Sequence, residues 1–243
     1  LWGFKKKPDI KKPRVITRDE HGIDRRQVSR EALRTCENLQ AAGFEAYVVG
    51  GAVRDLLLGV TPKDFDVVTN ATPEQIKRCQ RRAIIIGRRF RLVHVMFGRE
   101  IIECSTFRAL SHEGVQKDRA GRVVDDNVFG EMWEDAARRD FTINALYYDP
   151  STQEVIDYHN GMQDIENRVV RMIGDPYDRY REDPVRMLRA VRIASKLHFD
   201  VDEATLAPIA KQAHLLGNVP EARLFDEAME LLTCGEACLC MEK

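Results

Sequence analysis

Asp64 and Asp66 stand one residue apart, downstream of Gly50-Gly51 and of Arg54-Asp55, all within the stretch Tyr47 to Val68. Side chains alternate along a strand, so Asp64 and Asp66 point to one side while Phe65 points to the other. Two carboxylates on one face repel unless a cation lies between them. Hard divalent ions such as Mg²⁺ take oxygen ligands and are commonly held by one or two carboxylates plus substrate phosphates. The glycine pair adds backbone N–H groups near a helix start, where a phosphate is welcome. Phosphate chemistry is the first hypothesis. The bland alternatives are a solvated strand edge for Asp-x-Asp and an ordinary turn for Gly-Gly.

The elements around these residues follow from pattern. Ala46 to Val49 is an apolar run that reads as a buried strand ending at the glycines. A helical segment, Ala52 to Leu58, stops at Gly59, and Asp64-Phe65-Asp66 opens a second strand. Val28, Ala32, Leu33, Cys36 and Leu39 recur at helical spacing ahead of the first strand. Thr72-Pro73-Glu74 has the form of an N-cap with proline at the first helical position. Ile84–Ile86, Arg91–Phe97 and Glu100–Phe107 suit adjacent strands. Residues 109–130 are polar, without sustained period, and are expected to form a mobile loop. From Asp175 onward the pattern turns helical: Asp183-Pro184 begins a helix to about Leu197, and two more read from Glu203 to Leu216 and Pro220 to Thr233.

Three further constellations carry charge in places where it has to be explained. Glu103 sits among Ile101, Ile102, Cys104 and Ser105, so it needs either an arginine partner or a role beside the two aspartates. Arg139-Asp140, followed by Asn144, is either a helix end with a surface ion pair or an arginine fork and an acceptor for phosphate and hydroxyl oxygens. Glu182, Arg186 and Arg189 fall at i, i+4, i+7 on one helix face, and Asp183 is spaced to pair with Arg186. Most such spacings are salt-bridged surface. His94, in a strand-like run, reads as a packed or surface residue rather than a general base.

Composition sets the frame. With 243 residues, 44% hydrophobic and 32% charged, the chain is of ordinary globular composition and long enough for one large or two small domains. Its net charge of −1 argues against nonspecific polyanion binding by the whole molecule. Basic residues nevertheless cluster in Lys5–Lys7 with Lys11, Lys12 and Arg14, and again from Arg78 to Arg91. Residues 1–25 read as a basic, mobile arm. No run approaches the length of a membrane span, and no secretory signal is evident. The six cysteines show no framework spacing and read as free thiols of a reducing cytoplasm. Cys234, Cys238 and Cys240 lack a partner half for a zinc site.

Taken together, the apolar–Gly-Gly–spacer–Asp-x-Asp pattern resembles the signature of the DNA polymerase β nucleotidyltransferase superfamily. The form Gly50-Gly51-Ala52-Val53-Arg54-Asp55 is similar to the branch holding CCA-adding enzymes and bacterial poly(A) polymerases. The resemblance covers roughly residues 26–235. It implies an α+β fold: a nucleotidyltransferase (polymerase β-like) head of mixed sheet and helices, residues 26–173, then an all-helical neck, residues 174–243. It also implies two Mg²⁺ ions held by Asp64 and Asp66 with Glu103 assisting, and a triphosphate cradled by Gly50, Gly51 and Arg54. Arg138 to Leu146 is similar to the family's ribose-recognition motif, which gives the sugar to Arg139 and Asp140 with Asn144 in support. Glu182-Asp183-x-x-Arg186 resembles the motif that reads the base, with Arg189 and Arg192 within reach of the triphosphate. Arg223 and Glu227 match a later motif that braces this site.

The expected activity is therefore transfer of AMP from ATP to an RNA 3′ end by a cytoplasmic monomer. The segment Ile85 to Val95 resembles bacterial poly(A) polymerases and favours them over CCA addition. An RNA-binding module that has lost catalysis is the non-enzymatic alternative. Relatives of this kind continue into further helical domains, so the chain is expected to be a fragment.

Overall fold

A computed structural model describes residues 12–87, 91–110, 116–117, 123–125 and 129–242. The frame is an eight-stranded mixed sheet, built from eight of the strands of the chain. These are β1 (Arg14–Ile16), β2 (Ala46–Val49), β3 (Asp66–Thr69), β4 (Ala83–Ile86), β5 (Leu92–Phe97), β6 (Glu100–Thr106), and the two after residue 145 defined next. With β7 (Gln116–Lys117) and β8 (Val123–Asp125) forming a separate pair, the sheet's last members are β9 (Leu146–Asp149) and β10 (Glu154–Asp157). The order is β1-β10-β9-β2-β3-β6-β5-β4, with β3 and β6 parallel and every other neighbour antiparallel.

Register explains how the sheet builds a site. Tyr147 on β9 is opposite Val49, Val49 is opposite Asp66, Asp66 is beside Glu103, and Glu103 is opposite His94. Cross-strand partners share a face, so these five side chains form one row across five strands. The other face carries Val48, Val67, Ile102, Cys104, Val93 and Val95, all in the main core. That core is closed by α2 (Arg30–Ala41), whose Ala32, Leu33, Cys36 and Leu39 are buried and whose first turn is capped by the Ser29 hydroxyl. The row's own face holds a second cluster of Val49, Val68, Phe107 and Tyr147, covered by Met132 and Ala136 of α5 (Met132–Arg138).

Short helices join the strands. They are α1 (Arg18–His21), α3 (Gly51–Leu57), α4 (Pro73–Cys79) and α6 (Gly161–Glu166). The Thr72 cap and Pro73 at the first helical position of α4 are as the sequence predicts. The apolar runs predicted as strands at 46–49, 84–86, 91–97 and 100–107 are strands to within a residue or two.

The helical part comprises α7 (Pro176–Glu182), α8 (Val185–Leu197), α9 (Glu203–Gln212), α10 (Glu221–Thr233) and α11 (Ala237–Glu242). It contains one two-residue strand, β12 (Asp200–Val201), parallel to β11 (Val169–Val170). α7 is absent from the pattern reading because its four charged residues mask the single buried Tyr180.

Two expectations change. Residues 14–25 are not an arm: β1 adds an edge strand to β10, and Ile16 and Ile23 are buried in the main core. Three residues are too few for alternation to show, so the pairing partner, not the local pattern, makes this strand. Lys5–Lys7 and Lys11 lie outside the described residues. Most of the loop expected at 109–130 does too, and its described parts include the β7–β8 pair.

Candidate active site

The end of β2 delivers the glycine pair. Gly50 has φ 79° and ψ −141°, a backbone region in practice reserved for glycine. A Cβ there would lie 3.7 Å from Arg139 Nη1 and 4.0 Å from Asp66 Oδ2. The turn therefore brings backbone, guanidinium and carboxylate to one spot. α3 starts at once with Gly51, and Arg54 one turn on is buried. Arg54 donates to Asp55 Oδ1 through Nε at 2.9 Å and Nη2 at 2.7 Å, and to Asn144 Oδ1 at 2.6 Å. It lines the cleft, but as a locked strut rather than a free phosphate hand.

Asp64 and Asp66 flank buried Phe65 as alternation predicts, although the strand proper begins only at Asp66. The Asp66 carboxyl is pushed up to about 6, first by loss of surrounding water and then by the negative charges of Glu103 and Asp64, against a downward pull from Arg139. Glu103 is solvent-exposed and has no arginine partner among the described residues; its Oε1 lies 3.4 Å from His94 Nε2. Among the described residues no three His, Cys, Asp or Glu side chains converge on one point. The donor set is nonetheless hard oxygen on an open face, which fits Mg²⁺ completed by phosphate oxygens.

Arg139 and Asp140 part company in space. Arg139 donates to Asp135 Oδ2 through Nε at 3.2 Å and Nη2 at 3.1 Å, and Nε also reaches the Tyr147 hydroxyl at 3.1 Å. Asp140 is buried, accepts from the Phe141 N–H at 2.7 Å and Asn144 Nδ2 at 3.3 Å, and lies 2.8 Å from Arg189 Nη2 of α8. Burial opposes its ionisation, but Arg189, those two donors and Arg186 outweigh it and hold the carboxyl below the usual range. Neither residue belongs to a surface ion pair. Arg189 is thus the partner of Asp140.

In the helical part, Asp183 breaks the chain between α7 and α8 with φ −148°, so Glu182 ends one helix and Arg186 begins the next. The predicted common face of Glu182, Arg186 and Arg189 is not a single helix. Glu182 still accepts from Arg186 at 3.0 Å and from Arg179 at 2.7 Å. Asp183 pairs with Arg223 of α10 at 2.9 Å instead of Arg186, and its Oδ1 is buried without a hydrogen-bond partner among the described residues. Arg192 pairs with Glu227 at 2.7 Å and approaches Glu230 at 3.5 Å. Arg223 and Glu227 thus tie α10 to Asp183 and Arg192.

A cleft of about 300 Å³ lies between head and α8–α10. Gly51, Arg54, Asp64 and Asp66 line it with Arg192, and the sequence reading missed Lys63, Lys196 and Glu230. Lys196 is one turn beyond Arg192, and that helical spacing was the available signal. Cys234 also lines the cleft, with Sγ 3.6 Å from Cys240 Sγ, while Cys238 is exposed, so the three do not gather as metal ligands.

A mixed sheet that sets paired aspartates beside a glycine turn, capped by a helical neck, is the architecture of a nucleotidyltransferase. Residues 46–171 match the family described as Poly A polymerase head domain, and residues 198–243 match one described as Probable RNA and SrmB-binding site of polymerase A. The chain belongs to the poly(A) polymerase head-domain family. It is 54% identical over 228 residues to Poly(A) polymerase I of Salmonella typhimurium, covering 91% of this chain and 49% of that protein. It is 40% identical over 204 residues to the CCA-adding enzyme of Enterococcus faecalis, covering 84% and 49%. The crystal structure of Bacillus stearothermophilus CCA-adding enzyme in complex with CTP is similar with TM-score 0.70 and 36% identity, over 83% of this chain and 48% of that one. The chain spans about half the length of the curated relatives it matches.

Proposed function

We propose that the protein carries the catalytic head and neck of a polymerase that adds AMP from ATP to RNA 3′ ends, releasing pyrophosphate. One observation carries this reading. The cleft is lined by the carboxylates of Asp64 and Asp66 from the head and by the cations Arg192 and Lys196 from α8, with Lys63 next to Asp64. Carboxylates on one side call for a metal ion, and cations on the other call for a polyanion. A metal-bound triphosphate satisfies both.

In this reading Asp64 and Asp66 hold Mg²⁺, with Glu103 beside them, two ions being the expected number. Mg²⁺ supplies Lewis-acid stabilisation of charge on the reacting phosphates. The chain's own residues do the positioning. The Gly50-Gly51 turn lets backbone approach the phosphates without a side chain in the way. Arg54 stiffens that turn through Asp55 and Asn144. Arg139 and Asp140 take the ribose, with Asn144 steadying Asp140. Asp183 Oδ1, lacking a partner, offers an acceptor to an exocyclic amino group of the base, and Arg186, fixed by Glu182, offers donors beside it. The head is assigned to residues 26–173 together with residues 14–25, which join its sheet and core, and the neck to 174–243.

Preference for ATP alone is supported by 54% identity to a relative named Poly(A) polymerase I against 40% to one named CCA-adding enzyme. The protein is assigned to the cytoplasm as a monomer. Six thiols outside any disulfide accord with a reducing compartment. Among the described residues no helix is long and apolar enough to cross a membrane.

The test offers each nucleotide separately to an unstructured RNA and to a tRNA lacking its CCA end. ATP incorporation on both, with little CTP incorporation, is expected. Efficient CTP incorporation into the tRNA would transfer the chain to the CCA-adding branch. RNA binding without Mg²⁺-dependent turnover, or an Asp64→Asn/Asp66→Asn variant as active as wild type, would remove the mechanism.

A further inference from the structure

Arg139 has five N–H donors; the one on Nε and one of the two on Nη2 are engaged. Asp135 Oδ2 accepts from both nitrogens, and the Tyr147 hydroxyl meets Nε at 3.1 Å while itself donating to Asp135 Oδ2 at 2.8 Å. The guanidinium carbon lies 5.3 Å from the centre of the Tyr147 ring. Asp135 is fixed in turn by the Arg108 N–H at 3.3 Å on Oδ1. Nη1 is the nitrogen that makes no hydrogen bond among the described residues, and it faces Gly50 on the side where Asp66 Oδ2 also lies.

Stability alone is a poor reason for this triad. Asp135 and Tyr147 are buried against the apolar cluster of Val49, Val68, Phe107, Met132 and Ala136. A buried ion pair there gains little over hydrophobic packing of the same shape. What the triad does supply is direction. An unheld arginine samples many rotamers, whereas two anchors on separate elements leave one. Those anchors are themselves keyed to the site. Tyr147 is the cross-strand partner of Val49, the residue before Gly50, and Asp135 is one helical turn before Arg139.

We propose that Asp135 and Tyr147 are positioning residues that aim Arg139 Nη1 at the sugar of the incoming nucleotide and so set the preference for ribose over deoxyribose. This rests on the assignment of Arg139 to the ribose. Tyr147→Phe keeps the ring and loses the hydroxyl; Asp135→Asn keeps the shape and loses the charge.

The experiment measures kcat/KM for ATP and for dATP in wild type, Arg139→Ala, Asp135→Asn, Tyr147→Phe and the double variant Asp135→Asn/Arg139→Ala, with thermal unfolding alongside. The ATP-to-dATP ratio is expected to fall about tenfold in Arg139→Ala and Asp135→Asn and about threefold in Tyr147→Phe. In the double variant it should fall no further than in Arg139→Ala, because Asp135 acts only through the arginine. A merely structural role would lower Tm and overall rate while leaving the ratio intact and the two losses additive. If Arg139→Ala lowers the ratio but Asp135→Asn and Tyr147→Phe do not, the positioning role is overturned and the ribose assignment stands. If Arg139→Ala leaves the ratio unchanged, both fall. Tyr147→Phe decides the matter should Asp135→Asn fail to fold.

Discussion

Asp66 is the residue where structure and chemistry conflict most. Desolvation, then Glu103 and Asp64, raise its carboxyl to about 6 although Arg139 pulls the other way. A raised folded-state value means the folded protein holds a proton that the unfolded chain has released, between the usual carboxylate value and about 6. Stability from this group is therefore full below that window and lost as pH rises through about 6. At pH 7.5, without divalent ions, Asp66→Asn is expected to raise stability by on the order of 1 kcal/mol, after allowing for solvent screening. The gain should vanish by pH 4, which thermal melts across that range would check. Mg²⁺ at millimolar concentration should raise the wild-type Tm and leave that of Asp66→Asn nearly unmoved, since only a ligand that binds the folded site shifts its equilibrium. An equal Mg²⁺ response in both would place the ion elsewhere.

At the scale of elements, α10 works as a brace. Its Arg223 and Glu227 fall one turn apart and reach Asp183 at the start of α8 and Arg192 two turns along it. The two bonds fix α8 in rotation, and with it the side of the cleft formed by Arg192 and Lys196. Glu227 is buried, so among the described residues Glu227→Ala leaves Arg192 with the longer contact to Glu230 as its ion pair. A stability loss of about 2 kcal/mol is expected from urea unfolding. Loss of nucleotide affinity should accompany it, with KM for ATP rising more than kcat falls. Unchanged KM would mean that Arg192 does not serve the nucleotide. The same helix presents Phe225, Met229 and Leu232 to solvent, and these apolar side chains take no part in the brace.

For the whole molecule the decisive contacts join head to neck. Arg189 of α8 meets buried Asp140 at 2.8 Å, and Arg179 of α7 donates to the carbonyls of Arg138 and Arg139 at 2.6 Å and 2.8 Å. Arg171 adds a bridge between Asp164 and Asp202. The residues proposed for the sugar and for the base are thereby held in one frame. Asp140→Ala is expected to cost about 3 kcal/mol, since the Phe141 N–H and Asn144 lose their acceptor together with Arg189. Activity should fall far more than overall helicity by circular dichroism. Because the Asp140 carboxyl is held below the usual range, its contribution is full at neutral pH and is lost only as pH falls through that lowered value.

The sequence by itself determined the strands at 46–49, 92–97 and 100–106, the capped helix at 73–79 and the motif residues, because alternation, caps and glycine turns are local properties. It also determined that Asp64 and Asp66 share a side, since Phe65 between them has to be buried. Partners were a different matter. Spacing suggested Asp183 with Arg186 and left Glu103 between an arginine and the two aspartates, while the fold joins Asp183 to Arg223 and sets Glu103 beside Asp66 and His94. β1 and α7 were invisible because their stability comes from a distant strand and a single buried tyrosine. Only the tertiary structure decided that Tyr147, Val49, Asp66, Glu103 and His94 form one row. Register is set by pairing between segments up to about a hundred residues apart, and no local pattern encodes it.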